Sequence, residues 1–154
     1  MAIERNLLQG LKAELREKLN LSKIPRRQLE LWADDVVKSV KDNVRKGISP
    51  IGTGGRLPSY KNPSRYPGKR KSPRPVNLKL TSRFLADLKS RIVLSARGFK
   101  VLVGFRTQSE IVKEEGHRDG AGGQPKRPVI PLANEDFSRR IRLRLERSLK
   151  KILP

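Results

Sequence analysis

Apolar residues recur along the chain with two periods, and the change of period predicts the elements. Ile3, Leu7, Leu8, Leu11, Leu15 and Leu19 follow the i, i+4, i+8 spacing of one helical face, which predicts a helix over residues 3–19. Glu and Lys fill its other face, and Gly10 sits inside it. "NLSKIP" breaks that pattern, and Pro25 suits a first helical turn. Leu29, Trp32, Val36, Val40 and Val44 then form the stripe of a second helix through about Lys46, with Gly47 as its stop.

Residues 47–78, "GISPIGTGGRLPSYKNPSRYPGKRKSPRPVNL", show neither period. The stretch holds five Gly, six Pro and seven Lys or Arg with no acid, so it reads as an extended basic arm or long loop. Tyr60 and Tyr66 punctuate it. The plain reading is a flexible basic linker. The sharper reading is an arm that orders only against a neighbouring subunit or DNA.

Periodicity returns in "LKLTSRFLADLKS", where Leu80, Phe84, Leu85 and Leu88 predict a short helix capped by Thr81 or Ser82. "RIVLSARGFKVLVGF" then predicts a β-hairpin turning at Arg97-Gly98, with Phe99, Val101, Val103 and Phe105 on one face. "SEIVKEEGH" predicts one or two helical turns from Ser109, ended by Gly116, and "RDGAGGQ" a loop. "RPVIPL" is bracketed by prolines and reads as an edge strand at best. Asn134 is the expected cap of a last helix with Glu135 and Asp136 in its first turn. Phe137, Ile141, Leu145, Leu149 and Ile152 form its stripe, and seven Arg or Lys cover the rest. The expected architecture is α+β in a single domain spanning 1–154. N-terminal helices, the extended arm and a hairpin or small antiparallel sheet pack against a long C-terminal helix.

Charge changes this picture most. There are 36 Lys+Arg against 15 Asp+Glu, a net +21. Such a field attracts polyanions and opposes a compact isolated monomer by self-repulsion. Aromatics are scarce, so the core rests on Leu, Ile and Val and is modest for 154 residues. With no cysteine there is no disulfide and no thiolate metal site. No apolar run approaches the roughly 20 residues of a membrane span. The N-terminus lacks the apolar core of a secretory signal, so a soluble protein made inside the cell is expected.

The candidate chemistry lies in "EEGHRDGAGGQPK". The only histidine, His117, stands among Glu114, Glu115 and Asp119. A zinc site needs three or four His, Cys or carboxylate ligands, and one His with no Cys falls short. A triad needs a nucleophile, and no nucleophile motif accompanies His117. Gly116, Gly120, Gly122 and Gly123 make the region too pliable for a preorganised site. "GAGGQPK" lacks the Walker phosphate pattern. A solvated structural turn is the expectation, with no catalytic residue, cofactor or metal. The C-terminal arginines could contact nucleic acid or simply be a solvated face.

The order of short motifs is itself informative. It runs from Ser49-Pro50 through Gly52 to Pro58 and Lys61, then Leu80, Phe84-Leu85 and Leu88, then Val101, Val103 and Gly104. Ile111-Val112 with Glu115-Gly116-His117 follows, and then Pro125 to Leu132, "PKRPVIPL". This set, over roughly residues 25–152, resembles the tail-completion or neck proteins of tailed bacteriophages, also described as head–tail joining, minor tail or virion morphogenesis proteins. The family's glycine in the short helix appears here as Ser82-Arg83, and its usual Tyr-Ala pair before the "hE.G" motif is missing.

The resemblance implies a structural virion protein, not an enzyme. It implies a homo-oligomeric ring, hexameric or dodecameric, that joins the tail tube to the portal or adaptor complex while DNA passes through the lumen. It implies a location in the virion neck, with the host cytoplasm as the place of assembly and no membrane partner. Lys69, Arg70, Lys71 and Arg74 of the arm are the candidate DNA, lumen or partner contacts. Tyr60, Tyr66, Arg127, Pro128 and Ile130 are the candidate subunit-interface residues. The rival reading is a basic nucleic-acid-binding protein of ribosomal or nucleoid-associated type, although few aromatics are present to stack bases. If His117 belongs to a structural turn, His117→Ala leaves the yield of assembled particles near the native level; a large loss at unchanged fold would restore the catalytic or metal reading.

Overall fold

A computed structural model describes residues 4–10, 24–62, 83–96 and 98–153. The order of elements is strand β1 (Glu4–Asn6), a 3-10 turn (Leu7–Gly10), helix α1 (Arg26–Arg45), helix α2 (Arg83–Asp87), strands β2 (Leu88–Ser95) and β3 (Gly98–Phe105), helix α3 (Gln108–Asp119), a 3-10 turn (Ala121–Gly123) and helix α4 (Arg139–Lys150). The architecture is α+β: a three-stranded antiparallel sheet of order β1-β3-β2 with helices packed on it.

The hairpin forms where the sequence alternates. Leu88 pairs with Phe105 and the register runs without a break to Ser95 opposite Gly98. Val101, Val103 and Phe105 point into the core, and Phe99 at the hairpin end is half-buried. Phe84 of α2 stacks on Phe105 with ring centroids 4.7 Å apart. α1 covers β2 with Leu29, Trp32, Ala33, Val36, Val37, Val40 and Val44, the i, i+3, i+4, i+7 face of a 20-residue helix. Its stop matches the expectation. Gly47 is left-handed at φ 73°, its N–H donates to Val44 O, and Ile48 N–H donates to Asn43 O. Those two bonds satisfy carbonyls that the helix end would otherwise leave open.

α4 lays Ile141, Leu145 and Leu149 against the body, and the Trp32 indole N–H donates to Leu145 O at 3.2 Å. Helix α4 begins at Arg139 after Ser138, not at Asn134, and no acid lies in its first turn. Glu135 is occupied elsewhere, accepting the N–H of Leu132 and an Arg118 guanidinium.

Four further expectations are corrected. The chain start is not helical at 4–6. Those residues form β1, with Arg5 opposite Val103, and the rest of the expected 3–19 helix beyond Gly10 lies outside the described residues. The open edge of β3 offers backbone partners that a short helix cannot match, and Glu4 ion-pairs with Arg91 across the sheet at 2.7 Å. Leu88 opens β2 and is not part of the short helix, whose proposed cap residues Thr81 and Ser82 also lie outside the described residues. Helix α3 does not stop at Gly116 but runs three turns to Asp119. Its true stop is Gly120, left-handed at φ 74°, where an added Cβ would stand 2.5 Å from Gln124 O.

The fourth correction concerns only residues 47–62 of the arm; 63–78 lie outside the described residues. Residues 47–62 pack on this chain's own core. Leu57 (2 % exposed) and Tyr60 (5 %) are buried, Ile48 bridges Arg56, and Ile51 bridges Phe137. Ser138 N–H donates to Pro50 O and Gly52 N–H to Asp136 O, so this stretch is tied to the lead-in of α4. Up to residue 62 the stretch therefore has its packing partners within its own chain. Because Leu57 fills the core, Leu57→Ala should cost about 2–5 kcal/mol of unfolding free energy. Val112→Ala, at a site 54 % exposed, should stay within about 0.5 kcal/mol. Urea unfolding of both variants checks this.

Candidate functional site

The acid–histidine stretch folds as the second half of α3, and its residues part company. Glu114 points inward and is fully buried. Its Oε1 accepts the N–H of Val129 at 2.9 Å and of Ile130 at 3.0 Å, and an Arg118 guanidinium N–H at 3.2 Å. Its Oε2 has no hydrogen-bond partner among the described residues. Burial pushes the Glu114 carboxyl up to about 7, against the opposite pull of the two N–H donors and of Arg118.

"RPVIPL" is not a strand. Pro128 and Pro131 carry no N–H, so Val129 and Ile130 own the donors between them, and both go to one carboxylate. A buried side chain thus replaces the sheet ladder. Arg118 continues the tie by donating to Ile130 O and, at 3.1 Å, to Glu135.

Arg127, at the start of the same segment, is 2 % exposed. It donates to Pro58 O at 2.9 Å and to Ser59 O at 2.6 Å, and its guanidinium lies 5.0 Å from the centre of the Tyr60 ring. Its backbone N–H donates to His117 O at 2.7 Å. The guanidinium fork thereby joins the 47–62 loop to the proline segment.

His117 packs on Phe84, ring centroids 5.2 Å apart. Burial, with Arg127 and Lys113 nearby, lowers its imidazole to about 4, so it is neutral at physiological pH. The region is thus a helix with a polar inner face, not a solvated turn. Asp87 makes a separate tie. It accepts the N–H groups of Arg106 and Thr107 and the Thr107 hydroxyl, where β3 turns into α3. Burial alone would raise this carboxyl, but those donors outweigh it and hold it below the usual range.

Among the described residues no three His, Cys, Asp or Glu side chains gather where they could hold a metal ion. Glu114 is sealed from solvent and spoken for by three donors, so it offers no access to a substrate proton. The arrangement works as a tie between α3, the proline segment and the 47–62 loop.

Of the interface candidates, Tyr60, Arg127 and Ile130 are buried within this chain, and Pro128 is half-buried beside them. Their contacts here are intramolecular. Tyr66 and the arm cations Lys69, Arg70, Lys71 and Arg74 lie outside the described residues. Reading the sequence missed the roles of Glu114, Arg118 and Arg127. The available signal was the Glu114/Arg118 spacing of four on one helix face, followed by a segment whose prolines leave only two donors. No helix among the described residues is long and apolar enough to cross a membrane. No family model, curated protein or solved structure matches the chain.

The buried Glu114 and the half-buried His117 drive stability in opposite directions. Glu114 is raised above its ordinary 4.5, so its proton stabilises the fold below about 4.5, and that contribution is lost as pH climbs to about 7. His117 is lowered from 6.5, so its contribution is present above about 6.5 and lost as pH falls through about 4. The stability penalty of Glu114→Gln should therefore shrink between pH 4.5 and 7, and that of His117→Gln should grow between pH 4 and 6.5. Denaturant unfolding at several pH values reads both; penalties that do not change with pH would show that neither group is perturbed.

Proposed function

We propose that this protein is a structural component of a phage head–tail connection, a tail-completion or neck protein that forms a ring between the tail tube and the portal or adaptor complex. The observation that carries this reading is the convergence of the short motifs. The Ser49-to-Lys61 segment is held by Arg127 of "PKRPVIPL" through Pro58 O and Ser59 O. "PKRPVIPL" is in turn held by Glu114 of α3. His117 of the same helix meets Phe84 of the short-helix motif, and Phe84 stacks on Phe105 at the end of the hairpin strand. Motifs scattered over some eighty residues of sequence thus touch one another in a chain of contacts. These contacts hold the motifs in one body, which supports reading them as an ordered set.

A modest core and a charge of +21 fit a subunit that gains stability on assembly. The same charge favours one second reading, a nucleic-acid-binding protein of ribosomal or nucleoid type. Quantitative mass spectrometry of purified phage particles from the source system separates the two. A small fixed copy number, compatible with one ring per particle, is the expected result. Absence from particles with recovery in ribosome or nucleoid fractions would overturn the neck reading and establish the second.

A further inference from the structure

α4 differs from α1 in how its charges are arranged. Arg26–Arg45 sets five Lys or Arg against four acids, and Arg26 pairs with Glu30 along its own helix. Arg139–Lys150 carries six Lys or Arg and one acid, Glu146. We infer that one flank of α4, formed by Arg140, Arg144, Arg147 and Lys151, is a docking surface for the sugar-phosphate backbone of a duplex nucleic acid.

The geometry begins with spacing. Steps of four, three and four residues put these side chains on one side of the helix. Over eleven residues at 1.5 Å each, the row is about 16 Å long. They line a groove of about 610 Å³ along the α1–α4 boundary. Arg144 is fixed there by Asp35 of α1, Nη2 to Oδ1 at 2.7 Å and Nε to Oδ2 at 3.2 Å. This pair supports the middle of the row and satisfies the one acid in the groove. Arg140, Arg147 and Lys151 are exposed and make no ion pair among the described residues.

Like charges three and four apart weaken a helix, so the row does not serve the fold of α4. Three of the four are arginines, whose planar forks match phosphate oxygens in pairs. The chemistry also selects the ligand. Leu143 is the one apolar side chain in the groove, too little for the apolar centre of a protein interface. No aromatic lines it, so it offers no platform for the unstacked bases of a single strand. A regularly charged duplex backbone needs neither.

The binding surface stands on these residues alone; only the identity of the duplex as packaged DNA rests on the neck reading. The two fail separately, because the neck reading is tested by particle composition and this inference by binding. The experiment titrates KCl against the affinity of the full chain for a short mixed-sequence duplex DNA. It compares the native protein, the triple variant Arg140→Gln/Arg147→Gln/Lys151→Gln, and the charge-matched control Arg27→Gln/Lys46→Gln/Lys100→Gln, whose sites are exposed elsewhere on the molecule.

The triple variant should flatten the slope of log affinity against log salt by about 2.7, about 0.9 for each phosphate that is no longer neutralised. The control should keep the native slope, and Arg147→Gln alone should lower it by about 0.9. Equal flattening in both triples would overturn the inference in favour of diffuse charge. It is equally overturned by unchanged slopes in the α4 variants, by no duplex binding in the native protein, or by tighter binding to single strands or to an acidic peptide than to the duplex.

Discussion

Oxygen Oε1 of Glu114 accepts two backbone N–H groups and a guanidinium in the buried interior. Much of the rest of the structure depends on that carboxylate being where it is. Without it the segment between Pro128 and Pro131 would bury two unsatisfied donors, at about 1–3 kcal/mol each. With it, an irregular segment lies against α3 with Val129 and Ile130 wholly inside the core. Arg127 is then brought over the Tyr60 ring, and the 47–62 loop is drawn against the same body. The tie is polar, directional and specific to one register of the segment, which hydrophobic burial alone would not provide.

Around that tie the charge is unevenly divided. Two inward-facing ions are neutralised by close partners, Glu114 by Arg118 and Arg118 also by Glu135. The outward-facing ions of α1 are balanced along their own helix, while those of α4 are not. A domain of this size with so few aromatics has little stability to set against self-repulsion. A partner that supplies negative charge to α4 therefore acts on the weakest part of the electrostatic balance, whether that partner is DNA in a channel or another polyanion.

What the sequence made legible follows the clean periodicities. α1, with its apolar i, i+3, i+4 face, its Gly47 stop and the β2–β3 hairpin could be read directly, because in each most buried positions are apolar, Ser39 and Asn43 of α1 being the exceptions. α3 could not, because Glu110, Glu114 and half-buried Arg118 sit on its inner face while Val112 faces solvent. A hydrophobic pattern is blind to a buried carboxylate. The 47–62 loop escapes such a reading for a related reason: with Gly and Pro throughout it has no period, and its anchors Leu57 and Tyr60 are isolated apolar residues. β1 escapes it because Leu7 fits a helical stripe and a sheet-side turn equally well, and only the open edge of β3 decides between them.

That three-residue strand has a consequence for how the molecule comes together in time. Arg5 lies opposite Val103, so β1 closes a loop of about a hundred residues onto a hairpin whose own strands are neighbours in the chain. Pairings this remote in sequence are slow to nucleate, whereas the hairpin and the helix ends are local. During synthesis Glu4–Asn6 leave the ribosome well before Gly98–Phe105 and must wait for that strand before they have a place to go. β1 is thus the last edge to be added to the sheet, which is complete only after Glu4–Asn6 have found a strand made much later.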